Sequence, residues 1–327
     1  MYGTRYWVGL GALVAWAMAS NAFASDDIPA APAQADSTTE EPSSADQMIE
    51  TTRQSVRSTV EWLASGIDSR FGDKPFTDGG KVTDGQLGLA YLNREGQSSH
   101  INIRFNARFR LPNLSQFQYV YLGNDSERNV VTDQPDRRSL RDQIRDRNGA
   151  DNSFFAGLGM WLAESIDVRI GFRGPLRPYT QARVRHEWQL SPYDWVEARE
   201  TVFYTVKDRA GSTTALEYQH ALAPDLALRW LNSGTITQSS PHMAWNSTLG
   251  LYQSFGRDRV LGLELQHSGS EQDGVSTNDV GVQARWEQPI HKNVLGEVSL
   301  GHFWTKTSME PHREGQWAIG LAVSLKF

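Results

Sequence analysis

Residues 315–327 read Gly-Gln-Trp-Ala-Ile-Gly-Leu-Ala-Val-Ser-Leu-Lys-Phe. Taken two at a time, Trp317, Ile319, Leu321, Val323, Leu325 and Phe327 share one face, and Ala318, Gly320, Ala322, Ser324 and Lys326 share the other. Side chains alternate across a strand, so this is a strand with one unbroken apolar face and one small and polar face. Soluble strands usually run about five or six residues. This one reaches the ~9–11 residues that a tilted strand needs to cross a bilayer.

The same period of two recurs upstream. Ile101, Ile103, Phe105, Ala107 and Phe109 alternate with Asn102, Arg104, Asn106, Arg108 and Arg110; Val280, Val282, Ala284 and Trp286 alternate with Gly281, Gln283, Arg285 and Glu287. Strands are predicted near 85–93, 99–110, 116–124, 152–163, 166–174, 178–190, 195–207, 211–221, 225–236, 241–255, 259–269, 277–288, 293–305 and 315–327. Tight connections fall at 111–115, 163–165, 191–194, 221–224, 256–258 and 289–293, alternating with the other connections. Both ends of the strand region then lie on the short-turn side, which faces the periplasm in barrels of this kind. Lipid offers no partners to backbone N–H and C=O groups, so a spanning sheet must close. The pattern predicts a 14-stranded antiparallel transmembrane β-barrel over 85–327, or 12 or 16 strands if a weak one merges or splits. A large soluble sandwich explains the alternation but not the strand lengths.

The segment before the strands divides into three. Arg5, the apolar run that follows it, and Ala22-Phe23-Ala24 have the layout of a signal peptide over 1–24, cleaved after Ala24. Residues 25–46, rich in Ala, Pro, Ser and acids, read as a disordered linker. Ile49, Val56, Val60, Leu63 and Ile67 recur at helical spacing, which predicts an amphipathic helix over 47–70, followed by helix breakers through 84. The expected location is the bacterial outer membrane.

Composition narrows the chemistry. The 327 residues carry a formal net charge of -6 and include no cysteine. This removes disulfides, thiolate metal sites and a cysteine-linked lipid anchor. The acidic balance argues against a nucleic-acid partner. A mean hydropathy of -0.50 suits a membrane barrel, half of whose strand residues face water.

The terminal strand, ending in Phe327 with Leu325, Val323, Leu321 and Ile319 at two-residue steps, resembles that of bacterial outer-membrane barrels of the porin-like superfamily. The resemblance implies an assembly signal at Phe327, Leu325 and Val323 that the barrel assembly machinery recognises, with outer-membrane lipid and lipopolysaccharide as surroundings. Trp62-Leu63-Ala64-Ser65-Gly66-Ile67-Asp68, with Phe71-Gly72-Asp73, is similar to the lead-in of a proteobacterial subfamily of barrels; no activity comes with it.

Candidate functional residues lie on the polar phase of the strands: Arg104, Arg108, Arg169, Arg173, Arg183, Arg185, Glu187, Glu197, Arg199, Arg229, Glu264, Arg285 and Glu287. Cations outnumber anions, and charged linings select ions, so a channel for small polar solutes with a slight anion preference is the leading expectation. The same charges could instead pair and fill a closed structural or partner-binding barrel. The helix could plug the lumen against the small side chains of 244–250, 299–301 and 318–324, or lie across the periplasmic mouth. The charged connection 125–150 is expected to be a solvated outer loop; the functional alternatives are an inward constriction or contact with lipopolysaccharide phosphates. Outer-membrane lipid-acting enzymes set the remaining alternative, but the sequence has neither Gly-x-Ser-x-Gly nor His-Glu-x-x-His, and His267 beside Ser268 is in phase with the lipid face. No catalytic residue, metal site or cofactor is expected.

Overall fold

The computed structural model describes residues 44–69, 72–114, 117–125, 130–133, 153–256, 258–272, 274–309 and 312–327. The predicted signal peptide and nearly all of the linker lie outside them. Helix α1 (Ser44–Asp68) precedes fourteen strands: β1 (Lys81–Arg94), β2 (His100–Arg110), β3 (Tyr119–Asp125), β4 (Ser153–Ala163), β5 (Ile166–Arg173), β6 (Arg177–Gln189), β7 (Asp194–Thr205), β8 (Arg209–Ala223), β9 (Leu226–Thr237), β10 (Ser240–Phe255), β11 (Arg259–Gln272), β12 (Val275–His291), β13 (Val294–Thr307) and β14 (Glu314–Lys326). Each strand pairs antiparallel with its sequence neighbours, and β1 pairs with β14 in an unbroken register from Gln86↔Lys326 to Arg94↔Ala318. The sheet is therefore a closed barrel without an edge.

The outward phase is the lipid face. Ile101, Ile103, Phe172, Val202, Leu251, Leu263, Leu300, Ile319 and Leu321 are exposed, while the alternating polar residues Asn102, Arg173, Thr201, Glu264 and Gln283 are buried. A surface this apolar is incompatible with water and suited to hydrocarbon. Among the described residues no helix is long and apolar enough to cross a membrane. Glu200, between Ala198 and Val202 on the outward phase, departs from the apolar pattern and accepts hydrogen bonds from Ser212 Oγ (2.5 Å) and Thr214 Oγ1 (2.6 Å) of β8.

Several strand bounds differ from the alternation by a few residues, and the starts of β1 and β3 have a structural reason. β1 starts at Lys81 rather than 85, because a bulge between Val82 and Asp84 shifts the phase and hides the first turn of the strand. β3 starts at Tyr119 rather than 116, because Pro112–Leu114 winds into a short 3-10 turn first.

That turn receives α1. Val60 and Ala64 pack into one apolar cluster with Val82, Ala107, Phe109, Leu111, Leu114, Val120 and Leu122. Ala107, Phe109, Val120 and Leu122 are on the outward phase, so this half of the helix lies against the outside of the wall. Asp68 fixes its end: the Asn113 backbone N–H donates to Asp68 Oδ1 (3.0 Å) and Asn113 Nδ2 donates to Oδ2 (2.8 Å). At the other end, Asp46 sits 3.4 Å from His291 Nε2 at the tip of β12. Of the predicted stripe, Val60 is buried and Ile49 and Val56 are half-buried; the side chains of Leu63 and Ile67 lie outside the described residues. The geometry does not favour a helical plug. Aromatic rings also lie over part of the small-residue wall. Phe303 lies over Gly281 and Gly301, and Tyr252 lies over Gly250 and Gly262.

Phe327 closes the seam. Its backbone N–H donates to Gly85 O (3.1 Å), its ring stacks on Phe105 with centroids 6.1 Å apart, and Gly85 has no side chain to obstruct it. Leu325 is buried nearby and Val323 faces lipid.

Candidate functional site

The lumen wall has two regions. The first spans β2 to β7. Tyr119 and Tyr121 of β3 lie flat across β4 and β5, over Gly157, Gly159 and Gly171, where any side chain would collide with them. The Tyr119 hydroxyl bonds Asp167, and Arg169 donates to that hydroxyl (3.0 Å) and to Asp167 Oδ2 (2.8 Å). Arg108 lies 4.6 Å above the Tyr119 ring. Tyr121 and Tyr179 share a hydroxyl–hydroxyl bond of 2.7 Å. Phe155 and Trp161, on the inward phase of β4, pack against this group.

Onto this platform folds the start of the β3–β4 connection. Val130 and Val131 pack among Tyr119, Tyr121, Phe155, Tyr179 and Phe203. Gln181 Nε2 donates to the Val131 carbonyl (2.8 Å). Asp133, 2% exposed, meets Arg183 Nη1 at 3.0 Å and Arg199 Nε at 3.3 Å, and accepts a hydrogen bond from Thr201 Oγ1 at 3.1 Å. Its φ of 50° is a left-handed conformation that aspartate tolerates better than most residues. The expectation of a solvated loop is corrected for these four residues: they enter the barrel because two buried arginines there require a carboxylate. The charged remainder of the connection, through 150, lies outside the described residues.

The second region runs from β6 round to β12 and is a series of ion pairs. Arg185 pairs with Glu187 (2.9 Å) and Glu197; Arg229 makes a two-pronged bond to Glu217 at 2.7 Å on both arms; Arg285 pairs with Glu287 (2.7 Å) and Glu264 (3.4 Å). Each pair joins the same or adjacent strands, so it runs along the wall rather than across the lumen. Thr213 with Thr235 (2.9 Å) and Gln266 with Gln283 (3.0 Å) extend the lining.

Of the thirteen candidate residues, Arg169, Arg183 and Arg199 gather round Asp133 and Asp167, with Arg108 at their tyrosine platform. Arg185, Glu187, Glu197, Arg229, Glu264, Arg285 and Glu287 form the ion-pair series, and Arg104 and Arg173 line the inward phase of β2 and β5. Sequence reasoning did not find Asp133, Tyr119, Tyr121, Tyr179 or Gln181 as members of the site. The tyrosines had a signal in the facing glycines of β4; Asp133 had none, lying in a run of both charges. Arg94 was missed as well: it bonds Gln316 (2.8 Å) and Thr305 (3.0 Å) and lies over Phe303.

His267 faces lipid, with the Trp245 ring 4.6 Å away and Asn278 Nδ2 at 3.1 Å, while Ser268 points to the lumen and is buried. The described residues hold no cluster of three or more metal-ligating side chains.

No protein-family model matches the chain, and no curated protein matches its sequence. Solved structures with a similar course include the outer membrane channel DcaP of Acinetobacter baumannii, 10% identical, with a TM-score of 0.45 over 78% of this chain and 99% of that one. An anion-selective porin from Comamonas acidovorans is 11% identical, with a TM-score of 0.43 over 76% and 100% of the respective chains. OmpT of Vibrio cholerae, an outer membrane protein, is 10% identical, with a TM-score of 0.41 over 76% and 98%. At this level of identity and superposition the likeness assigns no solute.

Proposed function

We propose that the protein is an outer-membrane channel for small polar solutes, favouring anions, whose lumen is narrowed by Val130–Asp133 and not by α1. The observation that carries this reading is the inward segment held on an arginine-rich wall by Asp133. Charged rings at a constriction decide which solutes pass. Ion pairs that run along the wall keep their arginines charged without bridging the barrel. A closed structural barrel is the second reading, favoured by the burial of Gln283, Ser299 and Glu264 on the inward phase of β11 to β13.

Conductance of the purified barrel in a planar bilayer tests both readings. The expected result is small, stepwise conductance that rises when Val130–Asp133 is replaced by a Gly-Ser run of equal length. A reversal potential in a salt gradient should show anion preference, weakened by Arg199→Gln. Silence from both proteins, with folding verified, refutes the channel and leaves the closed barrel.

A further inference from the structure

Asp133 has the position of a ligand. Its carboxylate is buried among Arg183, Arg199 and the Thr201 hydroxyl, yet it belongs to a connection rather than to the wall. The arginine side chains are only 12% and 16% exposed, so removing the carboxylate takes one negative charge from between two buried cations. Asp167, 2.7 Å from Arg183, compensates that arginine, and Arg199 faces Glu197 on its own strand. Neither acid occupies the point where Asp133 meets both guanidinium groups. The segment is also tied to the wall by the hydrogen bond from Gln181 to the Val131 carbonyl.

We propose that Arg183, Arg199 and Thr201 form a binding site for the carboxylate of a small solute, and that Asp133 occupies it as an internal stand-in until a solute displaces it. A planar carboxylate suits guanidinium donors geometrically as well as electrostatically. An entering carboxylate replaces the charge that Asp133 withdraws, so no arginine is left uncompensated during the exchange. Displacement swings Val130–Asp133 off the tyrosine platform and widens the lumen for the solute that caused it. The inference rests on the proposed channel for its purpose, but the exchange itself is measurable without current.

Because the chain has no cysteine, a single introduced one reports alone. In Val131→Cys, the thiol replaces a side chain that is 1% exposed, so a water-soluble maleimide reacts only when the segment lifts. The protein is reconstituted into lipid vesicles and titrated with glutarate at constant ionic strength, with glutaramide as the uncharged control. Labelling should accelerate with glutarate as 1 + [L]/Kd, about elevenfold at ten times the open state's Kd, and level off once the open state predominates. Glutaramide should have no effect. Asp133→Asn should label faster than its parent without solute and gain little more from glutarate. Should Val131→Cys fail to fold, as read by heat-dependent migration on a gel, Thr132→Cys serves as reporter from the same buried segment. No glutarate response, an equal response to glutaramide, or parental labelling in Asp133→Asn each overturns the proposal. Glutarate-dependent labelling in a barrel that never conducts keeps the site and refutes the channel.

Discussion

Single residues in this barrel are governed by their cross-strand neighbours on the same face, diagonal ones included. Glu217 and Arg229 occupy adjacent strands and hold each other by two 2.7 Å bonds, with both side chains nearly buried. Glu217→Gln should therefore destabilise the barrel by about 3 kcal/mol, because one member of a buried pair is left charged and unmatched. The double change Glu217→Gln with Arg229→Met should recover most of the loss; equilibrium urea unfolding in lipid would measure both, and an innocuous single mutant would show that the pair is solvated. The inward phase of Arg229 and Glu217 follows from alternation alone, since their neighbours Leu216, Leu228 and Trp230 are apolar. Their mutual contact was not legible, because register between strands depends on turn geometry that sequence fixes only loosely. Asp133 was still further from view: it enters the lumen through a long connection, where no periodicity operates.

Among the elements, α1 shows where periodicity misleads. Its spacing identifies a helix and a contact side, but an amphipathic helix fits a lumen, a mouth or an outer wall equally well. The outer wall of β1 to β3 accepts it because Phe109, Val120 and Leu122 offer an apolar patch to Val60 and Ala64, and because Asp68 finds Asn113. Ala64, fully buried at the centre of the contact, has no room for a longer side chain. Ala64→Glu should release the helix while leaving the barrel folded. Limited proteolysis should then cut between α1 and β1 at least about tenfold faster, as expected when local opening becomes favourable by more than 1.4 kcal/mol. Resistance equal to wild type would mean that Val60 and Asp68 suffice. On the exposed side of α1, hydrogen bonds from Arg53 and Gln54 hold the Glu50 carboxyl near 2. Its folded value lies below its ordinary one, so this support for the helix is full at neutral pH and fades as pH falls from about 4.5 towards 2.

The whole molecule is set by closure, and closure was the most legible feature. Fourteen alternating segments, short turns on one side and an aromatic final residue leave few architectures that satisfy every backbone group in lipid. The pairing of Phe327 with Gly85 and Phe105 could not be read in advance, because it joins residues at opposite ends of the strand region. Phe327→Ser removes a ring packed on Phe105 and over Gly85, so it should cost the finished barrel about 1–3 kcal/mol while still letting it fold in lipid. It should nonetheless lower the yield of closed barrels severalfold when membranes are assayed by heat-dependent migration; unchanged yield would limit Phe327 to packing.

The β1–β14 seam carries a further consequence, which concerns time. β1 is the first strand to emerge and β14 the last, so their nine-pair register is the latest one available and closes the longest loop in the molecule. Until then β1 presents a bare hydrogen-bonding edge, the feature by which β-proteins most readily join the wrong neighbour. A nascent barrel of this design therefore carries an open pairing edge from Gln86 to Arg94 for as long as β14 is missing.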